Sequence, residues 1–238
     1  MKFDILTLFP EMFEPLKSSI IKRAVENNLL EINLINIRDY AQNKHNQVDD
    51  TPYGGGNGMV LKPDVVARSI QAFKSDNSKV IYMSPKGKLL NQSKVVELSE
   101  QDHLIILCGH YEGIDQRVID TYVDEEISIG DYVLTGGELP AMVLVDSVSR
   151  YVEGVLSDGS TNEESFANNL LEYPQYTRPE VFEGIEVPEV LKSGNHQEIA
   201  KWRRKQSVLI TAKRRPDLLK NIELSLEEKN LIDDLDNK

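Results

Sequence analysis

The sequence contains little cysteine, tryptophan or histidine, and it has no long hydrophobic run. Its 238 residues include 1 cysteine, 1 tryptophan and 4 histidines. A single thiol excludes a disulfide within the chain and is typical of a reducing compartment, so we expect a cytoplasmic protein. No stretch approaches the roughly 18 consecutive apolar residues of a transmembrane helix. The short apolar start, residues 1–10, is followed by no small-residue cleavage site, so we expect no signal peptide.

The few histidines and the lone cysteine also argue against metal or thiol chemistry. His45, His110 and His196 do not follow the spacing of zinc ligands, and the sequence predicts no zinc or iron site. Cys108 falls inside an apolar run, which favours a packed core thiol over a nucleophile.

Charge is spread unevenly along the chain. The formal net charge of −12 argues at first against a nucleic-acid partner. Residues 201–220, however, carry eight basic side chains and one acidic one, a local charge of +7, so the other 218 residues sum to −19. A basic segment in an acidic chain indicates a polyanion partner. The alternative is an ordinary solvated helix face.

Composition and periodicity together predict two domains. The chain is 40% apolar and 28% charged, as in soluble globular proteins, and it is long enough to bury a core. We predict an α/β domain over residues 1–158, a polar linker over 159–172 and a helical domain over 173–238. Apolar patterns predict strands at residues 5–9, 30–37, 80–83 and 104–108, and helices at 12–27, 63–73, 92–99, 115–123, 142–152, 197–214 and about 225–235.

The stretch from Leu104 to Met142 holds the strongest candidate site. Its first five residues, through Cys108, are all apolar, which indicates a strand buried on both faces. Glycine-containing loops follow at residues 109–113, 128–132 and 134–140, and they also contain tyrosines and glutamates. In open α/β sheets, ligands bind at the carboxyl ends of strands, where such loops gather. The alternative is that these are ordinary tight turns.

Further loop candidates lie elsewhere in the chain. Residues 53–58 form a glycine-rich run that resembles a phosphate-binding loop but lacks the terminal Lys-Ser/Thr pair, which disfavours a nucleotide hydrolase. A flexible hinge is the alternative there. Residues 84–88 are another ligand-side candidate. Asp146 and Arg150, four apart on a predicted helix, share one face, where a surface ion pair is the simpler interpretation.

Six sequence blocks, in order and spread over nearly the whole chain, resemble the TrmD family of bacterial tRNA (guanine-N1)-methyltransferases. The blocks are Leu8-Phe9-Pro10, Tyr53-Gly54-Gly55-Gly56, residues 108–113 (CGHYEG), residues 129–140 (IGDYVLTGGELP), Tyr176-Thr177-Arg178-Pro179 and Ser193-Gly194-Asn195-His196.

The resemblance implies a SPOUT-type α/β fold: a parallel sheet with a C-terminal trefoil knot, plus a small all-helical C-terminal domain. It implies a cytoplasmic homodimer that binds S-adenosyl-L-methionine and methylates N1 of guanine 37 in tRNA, next to the anticodon. The implied cofactor-binding residues are Tyr82, Ser84, Pro85, Gly109, Tyr111, Glu112, Gly113, Ser128, Ile129, Gly130, Tyr132, Val133, Leu134, Gly136, Gly137 and Pro140.

The resemblance also implies the reacting groups. Guanine N1 becomes a good nucleophile as its hydrogen leaves, which calls for a general base, and a guanidinium near O6 would stabilise the developing charge. Arg150 matches the family's catalytic arginine. The family's catalytic aspartate corresponds to Glu164, a departure that keeps the carboxylate but adds a methylene. Glu163 is a rival for the role of base.

The basic segment then has tRNA as its expected partner. The implied RNA-binding residues are Gly55, Arg178, Arg203, Arg204, Arg214 and Arg215. Magnesium is compatible with the chemistry, although the sequence shows no dedicated site. Two alternatives stay open: a SPOUT methyltransferase that acts on another RNA position, and a noncatalytic RNA-binding protein that senses a nucleoside.

Overall fold

The chain forms two compact units, Met1–Asp158 and Gly159–Lys238. The computed structural model describes residues 1–157 and 159–236. In the part of the chain so described, no helix is both long and apolar enough to cross a membrane.

A five-stranded parallel sheet forms the centre of the first unit, with strand order β2-β1-β6-β5-β7. Its strands are β1 Lys2–Thr7, β2 Glu31–Asn36, β5 Ser78–Leu89, β6 His103–Cys108 and β7 Glu125–Ser128. Two further strands, β3 Asp49–Asp50 and β4 Val60–Leu61, form a separate antiparallel pair. The α/β class with a parallel sheet is confirmed.

Helices cover both faces of the sheet. They are α1 Ser19–Glu26, α2 Pro63–Gln71, α3 Gln92–Ser99, α4 Gln116–Tyr122 and α5 Glu138–Ser149. The central strand β6 is buried along its whole length, as the apolar run predicted. Alternate side chains serve opposite faces: Leu104 and Ile106 join the core under α1, α3 and α5, whereas Ile105 and Leu107 join the core under α2 and α4.

Several element boundaries differ from the predicted ones. The predicted helix at 12–27 is wrong in its first half, which is a 3₁₀ helix, Pro10–Lys17, ended by an extended Ser18. Pro15 lies inside it and has no N–H for a helical hydrogen bond. The strand predicted at 5–9 begins at Lys2 and ends at Thr7. The sequence pattern did not predict β7, because its four residues include two glutamates.

The second unit is mostly helical. Its helices are α6 Glu189–Lys192, α7 His196–Arg214 and α8 Leu226–Asp236, with a 3₁₀ helix at Pro216–Asn221. The all-helical expectation is wrong in one respect, since β8 Val181–Phe182 and β9 Ile185–Glu186 form a short antiparallel hairpin. The turn between them contains Gly184 at a φ of 80°, a conformation that favours hairpin formation.

Candidate active site

A pocket of about 270 Å³ lies in the first unit, beside the carboxyl ends of β6 and β7. Every residue that the resemblance assigned to the cofactor lines this pocket. Three loops meet there: residues 109–113 after β6, 128–132 after β7, and 134–140 before and into α5. The structure therefore brings the three glycine-containing loops together around one cavity.

Close packing explains two of the glycines. The N–H of Gly137 donates to the carbonyl of Gly109 at 2.9 Å. A Cβ on Gly137 would lie 2.8 Å from the Cα of Cys108, and a Cβ on Gly109 would lie 2.7 Å from the Tyr82 hydroxyl oxygen. A larger residue at Gly137 would push its loop away from the backbone of Cys108 and Gly109, and one at Gly109 would displace the Tyr82 side chain. The glycines thus set the distance between two walls of the pocket.

The loop at 109–113 also holds a backbone conformation that is rare for a residue with a side chain. Tyr111 has a φ of 58°, and Gly113 follows with a φ of 112°. Strain of this kind is concentrated at functional sites. The ring of His110 lies between Phe9, at 4.8 Å between centroids, and Tyr111, at 5.1 Å.

A buried hydrogen bond ties the start of α5 to the end of β1. Thr7 Oγ1 donates to Glu138 Oε1 at 2.8 Å, and both residues are almost fully buried. The helix begins at Glu138 and not at Met142 as predicted, because the backbone turns at Gly137 and Glu138 is held by this contact.

Burial, together with the nearby Glu138 carboxylate, raises the pKa of the Cys108 thiol well above its usual range. Cys108 is a core residue, as predicted.

The pocket also contains a tyrosine that stays protonated at neutral pH. Burial, followed by the nearby Glu126 carboxylate, raises the pKa of Tyr82 to about 12. Tyr82 therefore presents a neutral hydroxyl beside Gly109.

Several pocket residues were missed at the sequence level. They are Ile114, Gln116, Ile119, Glu126 and Ile127. Lys86, His110 and Thr135 also line the pocket, and they lie in the loops at 84–88, 109–113 and 134–140 that the sequence indicated; Met83 lies between Tyr82 and Ser84. Glu126 lies in β7, which the pattern did not predict. Within residues 1–157 and 159–236, His110 Nδ1 and Glu126 Oε2 are buried without a hydrogen-bond partner. Such atoms suit a ligand that carries its own donors and acceptors.

The glycine-rich run at 53–58 reaches the rim of this pocket. The N–H of Glu112 donates to the carbonyl of Met59 at 3.0 Å, and a Cβ on Gly58 would lie 2.5 Å from Glu112 Oε1. Gly55, in contrast, is exposed and has open space around it.

The candidate loop at 84–88 lies within β5, where the pairing with β7 shifts register between Met83 and Lys88.

The two predicted catalytic residues belong to different units. Arg150 is half-buried and caps the C-terminus of α5 in the first unit. Glu164 is half-buried in the second unit, on the wall of a second pocket of about 360 Å³. Glu163 lines the same pocket.

The arginines predicted to bind RNA differ in their surroundings. Arg203 pairs with Glu163 at 3.3 Å, Arg204 with Glu228 at 2.7 Å and Arg215 with Asp217 at 2.7 Å. Arg178 and Arg214 are exposed. No group of three or more His, Cys, Asp or Glu residues suited to a metal ion occurs in the described part of the chain.

The chain resembles one family over most of its length. Residues 1–221 match the family described as tRNA (Guanine-1)-methyltransferase TrmD. A protein of Syntrophomonas wolfei named tRNA (guanine-N(1)-)-methyltransferase is 59% identical over 237 residues, which cover 99% of this chain and 97% of the relative. Proteins of the same name from Desulforamulus reducens, 56% identical, and Clostridium botulinum, 54% identical, cover 100% of this chain and 96% and 100% of their own lengths. By this match and these identities, the chain belongs to the TrmD family of tRNA (guanine-1)-methyltransferases.

Proposed function

We propose that the protein transfers a methyl group from S-adenosyl-L-methionine to N1 of guanine 37 in tRNA, next to the anticodon. Family membership supports methylation of tRNA guanine at N1. The observation that carries the proposal is the convergence of every expected cofactor residue on one pocket at the ends of the parallel strands. A SPOUT-type trefoil knot and a cytoplasmic location belong to the same proposal.

The pocket has features that fit the methyl donor. Its walls combine apolar side chains such as Ile129 and Leu134 with the backbone of several glycines, which suits an adenine ring. The unpartnered polar atoms of His110 and Glu126 are available for the ribose and amino-acid parts. S-adenosyl-L-methionine, when bound there, would supply a methyl group activated by a sulfonium centre.

The protein's own residues would then prepare the guanine. Glu164 removes the hydrogen from N1, so that the nitrogen lone pair becomes available for transfer. Arg150 donates to O6, where negative charge develops as that hydrogen leaves. Because the donor needs little activation, alignment and proton removal are the main tasks of the protein.

Glu164 stands where the family has aspartate. The added methylene lengthens the side chain by roughly 1.3 Å, about one carbon step. We therefore expect the rate of methyl transfer to differ from that of family members with aspartate at this position, while the reaction itself stays the same.

The second unit is proposed to bind the tRNA backbone, and a homodimer is proposed as the active form. Arg178, Arg214 and Gly55 are exposed, which suits contacts with RNA. Arg203, Arg204 and Arg215 have acidic partners, which phosphate groups would have to displace or share. Two apolar side chains on α5, Leu139 and Val143, and the neighbouring Val133 are exposed, which suits a subunit interface. Magnesium remains compatible with this proposal.

Single-turnover methyl transfer tests the assigned roles. The substrate is a tRNA transcript with guanine at positions 36 and 37, and the proteins are wild type, Glu164→Gln and Glu164→Asp. We expect Glu164→Gln to lower the rate by about 10²- to 10⁴-fold with the affinity for S-adenosyl-L-methionine retained, and Glu164→Asp to stay active. An unchanged rate in Glu164→Gln would show that the base lies elsewhere.

The same experiment separates the alternatives. A noncatalytic nucleoside sensor would show no turnover, and cofactor binding would change only its RNA affinity. A methyltransferase with another RNA target would place the methyl group at a different atom or position, which mass spectrometry of the product nucleosides detects.

A further inference from the structure

Two adjacent carboxylates, Glu163 and Glu164, line the pocket of the second unit, and the structure shows which side chains Glu163 contacts. Glu163 Oε2 accepts a hydrogen bond from the Tyr173 hydroxyl at 2.7 Å. The same oxygen lies 3.3 Å from Nη1 of Arg203. The guanidinium of Arg203 in turn stacks over the Tyr173 ring, 4.7 Å from its centroid. Glu163, Tyr173 and Arg203 therefore form a closed set of three mutual contacts, which we name the carboxylate clamp.

The carboxylate clamp joins two distant parts of the second unit. Arg203 belongs to α7, whereas Glu163 and Tyr173 belong to the irregular segment that precedes the hairpin. More hydrogen bonds hold that segment on the far side of Glu164. The N–H of Glu172 donates to Ser165 Oγ at 3.0 Å, and the N–H of Leu171 donates to Thr211 Oγ1 of α7 at 2.8 Å. The two neighbours of Glu164 along the chain are thus both tethered.

The contacts of Glu163 bear on whether it can act as the base. A general base must have a lone pair directed at the hydrogen that it removes. One oxygen of Glu163 already accepts from a tyrosine and an arginine, and the arginine is held in place by its stacking on the tyrosine. Tyr173 stays a donor at neutral pH, because burial and the hydrogen bond to Glu163 raise its pKa. Glu163 is therefore already engaged in hydrogen bonds within the second unit, which disfavours it as the general base.

We propose that Glu163 is a positioning residue, which acts with Tyr173 and Arg203 to hold the backbone at Glu164 against α7, while Glu164 carries the reacting carboxylate. This inference rests on the proposed function and assigns separate roles to the two glutamates. It also gives Arg203 a role in placing the base, in addition to any contact with RNA.

The size of the expected effect follows from exposure. The Glu163 side chain is 64% exposed and that of Arg203 is 40% exposed, so water screens the ion pair and weakens it. The hydrogen bond from Tyr173 adds a contribution of ordinary size. Removal of the clamp should therefore slow methyl transfer by about tenfold, the rate change that corresponds to one such interaction. Loss of a general base costs about 10²- to 10⁴-fold.

The test measures single-turnover rates at saturating cofactor and tRNA, with the full chain, and adds sodium formate as a small replacement carboxylate. We expect Glu164→Ala to lose most activity and to regain part of it with formate. Glu163→Ala should lose about tenfold and should not respond to formate. Glu163→Gln should stay near the wild-type rate, since its amide oxygen still accepts from Tyr173.

Two further comparisons test whether the clamp acts as a unit. Tyr173→Phe removes the hydrogen bond to Glu163 but keeps the contacts of Arg203, so it should lose no more than Glu163→Ala. The double variant should be no slower than Glu163→Ala, because both changes remove the same hydrogen bond. The pH dependence of the rate should keep its shape in both. The matched control is Glu180→Ala in the same unit. It breaks an exposed ion pair with Lys192 at 2.6 Å and should leave the rate unchanged.

Three outcomes would overturn the inference. One is recovery of Glu163→Ala with formate while Glu164→Ala stays inactive, which would make Glu163 the base. The second is a Glu163→Ala rate equal to that of wild type, and the third is additive losses in the double variant. If the wild-type chain itself transfers no methyl group to guanine N1, the proposed function fails together with the inference.

Discussion

The buried contact between Thr7 and Glu138 gives the sharpest prediction about the fold that supports the pocket. Thr7→Val keeps the shape of the side chain but removes the hydroxyl that donates to Glu138 Oε1 at 2.8 Å. It also removes the acceptor for the N–H of Phe9, at 3.0 Å. Thr7 is 0% exposed and Glu138 is 1% exposed, so water cannot replace the lost donor without opening the core.

The expected destabilisation follows from that burial. A hydrogen bond to a charged group contributes about 1.5–3 kcal/mol, and the unsatisfied carboxylate keeps its desolvation cost. For a domain of this size each kcal/mol lowers the Tm by roughly 2–4 °C, so Thr7→Val should lower it by about 3–12 °C. The pocket loop that precedes α5 should loosen with it.

Differential scanning calorimetry tests the prediction, with Thr121→Val as the matched control. Thr121 Oγ1 donates to the carbonyl of Arg117 at 2.6 Å on the exposed surface of α4, so the same substitution there should change the free energy of unfolding by less than about 0.5 kcal/mol. If Thr7→Val proves no more destabilising than Thr121→Val, the buried contact does not hold α5 to β1 as we argue.

Three more predictions concern the pocket and the core beside it. Because the pKa of Tyr82 is raised from 10.0 to about 12, the folded protein holds this proton where the unfolded chain releases it. The resulting stability, about 2–3 kcal/mol, is present below pH 10 and lost as pH rises through 12. Urea unfolding of wild type and Tyr82→Phe between pH 9 and 12 measures this contribution. If the free energy of unfolding falls with pH equally steeply in both proteins, the prediction is contradicted. Since burial raises the pKa of Cys108, the native protein should react with a disulfide reagent only after denaturant is added, and rapid stoichiometric labelling without denaturant would be evidence against this packing. Gly137→Ala would place a Cβ 2.8 Å from backbone, at a cost of about 1–3 kcal/mol, so calorimetric titration should show binding of S-adenosyl-L-methionine that is weaker by up to the corresponding factor, about 5- to 150-fold. Gly54→Ala is its control: at a φ of 88° an alanine is strained there but meets nothing within 4 Å, so it separates backbone strain from steric contact, and equal affinities in the two variants would refute the steric argument.

The central strand could be predicted from the sequence because its signal is local. An unbroken apolar run, Leu104 to Cys108, can be satisfied only by burial on both faces, and β6 lies in the middle of the sheet. Its neighbours could not be predicted in the same way. The pairing of β6 with β1 on one side and β5 on the other depends on contacts between residues about a hundred and about twenty-five positions apart.

The position of the pocket could be predicted better than its full lining. Glycine-containing loops after apolar strands indicate a ligand site, and those loops do meet around one cavity. Glu126 was missed because β7 is short and carries two glutamates, so it has no apolar pattern. The start of α5 was missed because a glutamate is expected on the surface. The Glu138 carboxylate is instead buried against Thr7, which lies 131 residues away in the sequence.

The roles of charged residues in the second unit depend on the geometry of a helix face. A local charge of +7 indicates a polyanion partner but does not say which arginines are engaged within the protein. Arg203 and Arg204 are adjacent in α7, yet they contact different acids, Glu163 and Glu228. Such partners are set by tertiary packing and cannot be read from sequence spacing.

The most direct test of the proposed function is to locate the methyl group on the product. Wild-type protein, labelled S-adenosyl-L-methionine and two tRNA transcripts are needed, one with guanine at positions 36 and 37 and one with adenine at position 37. Nucleoside and fragment mass spectrometry should find 1-methylguanosine at position 37 of the first transcript and no labelled base in the second. Absence of transfer to the first transcript, or a methyl group at another atom or position, would contradict the assignment.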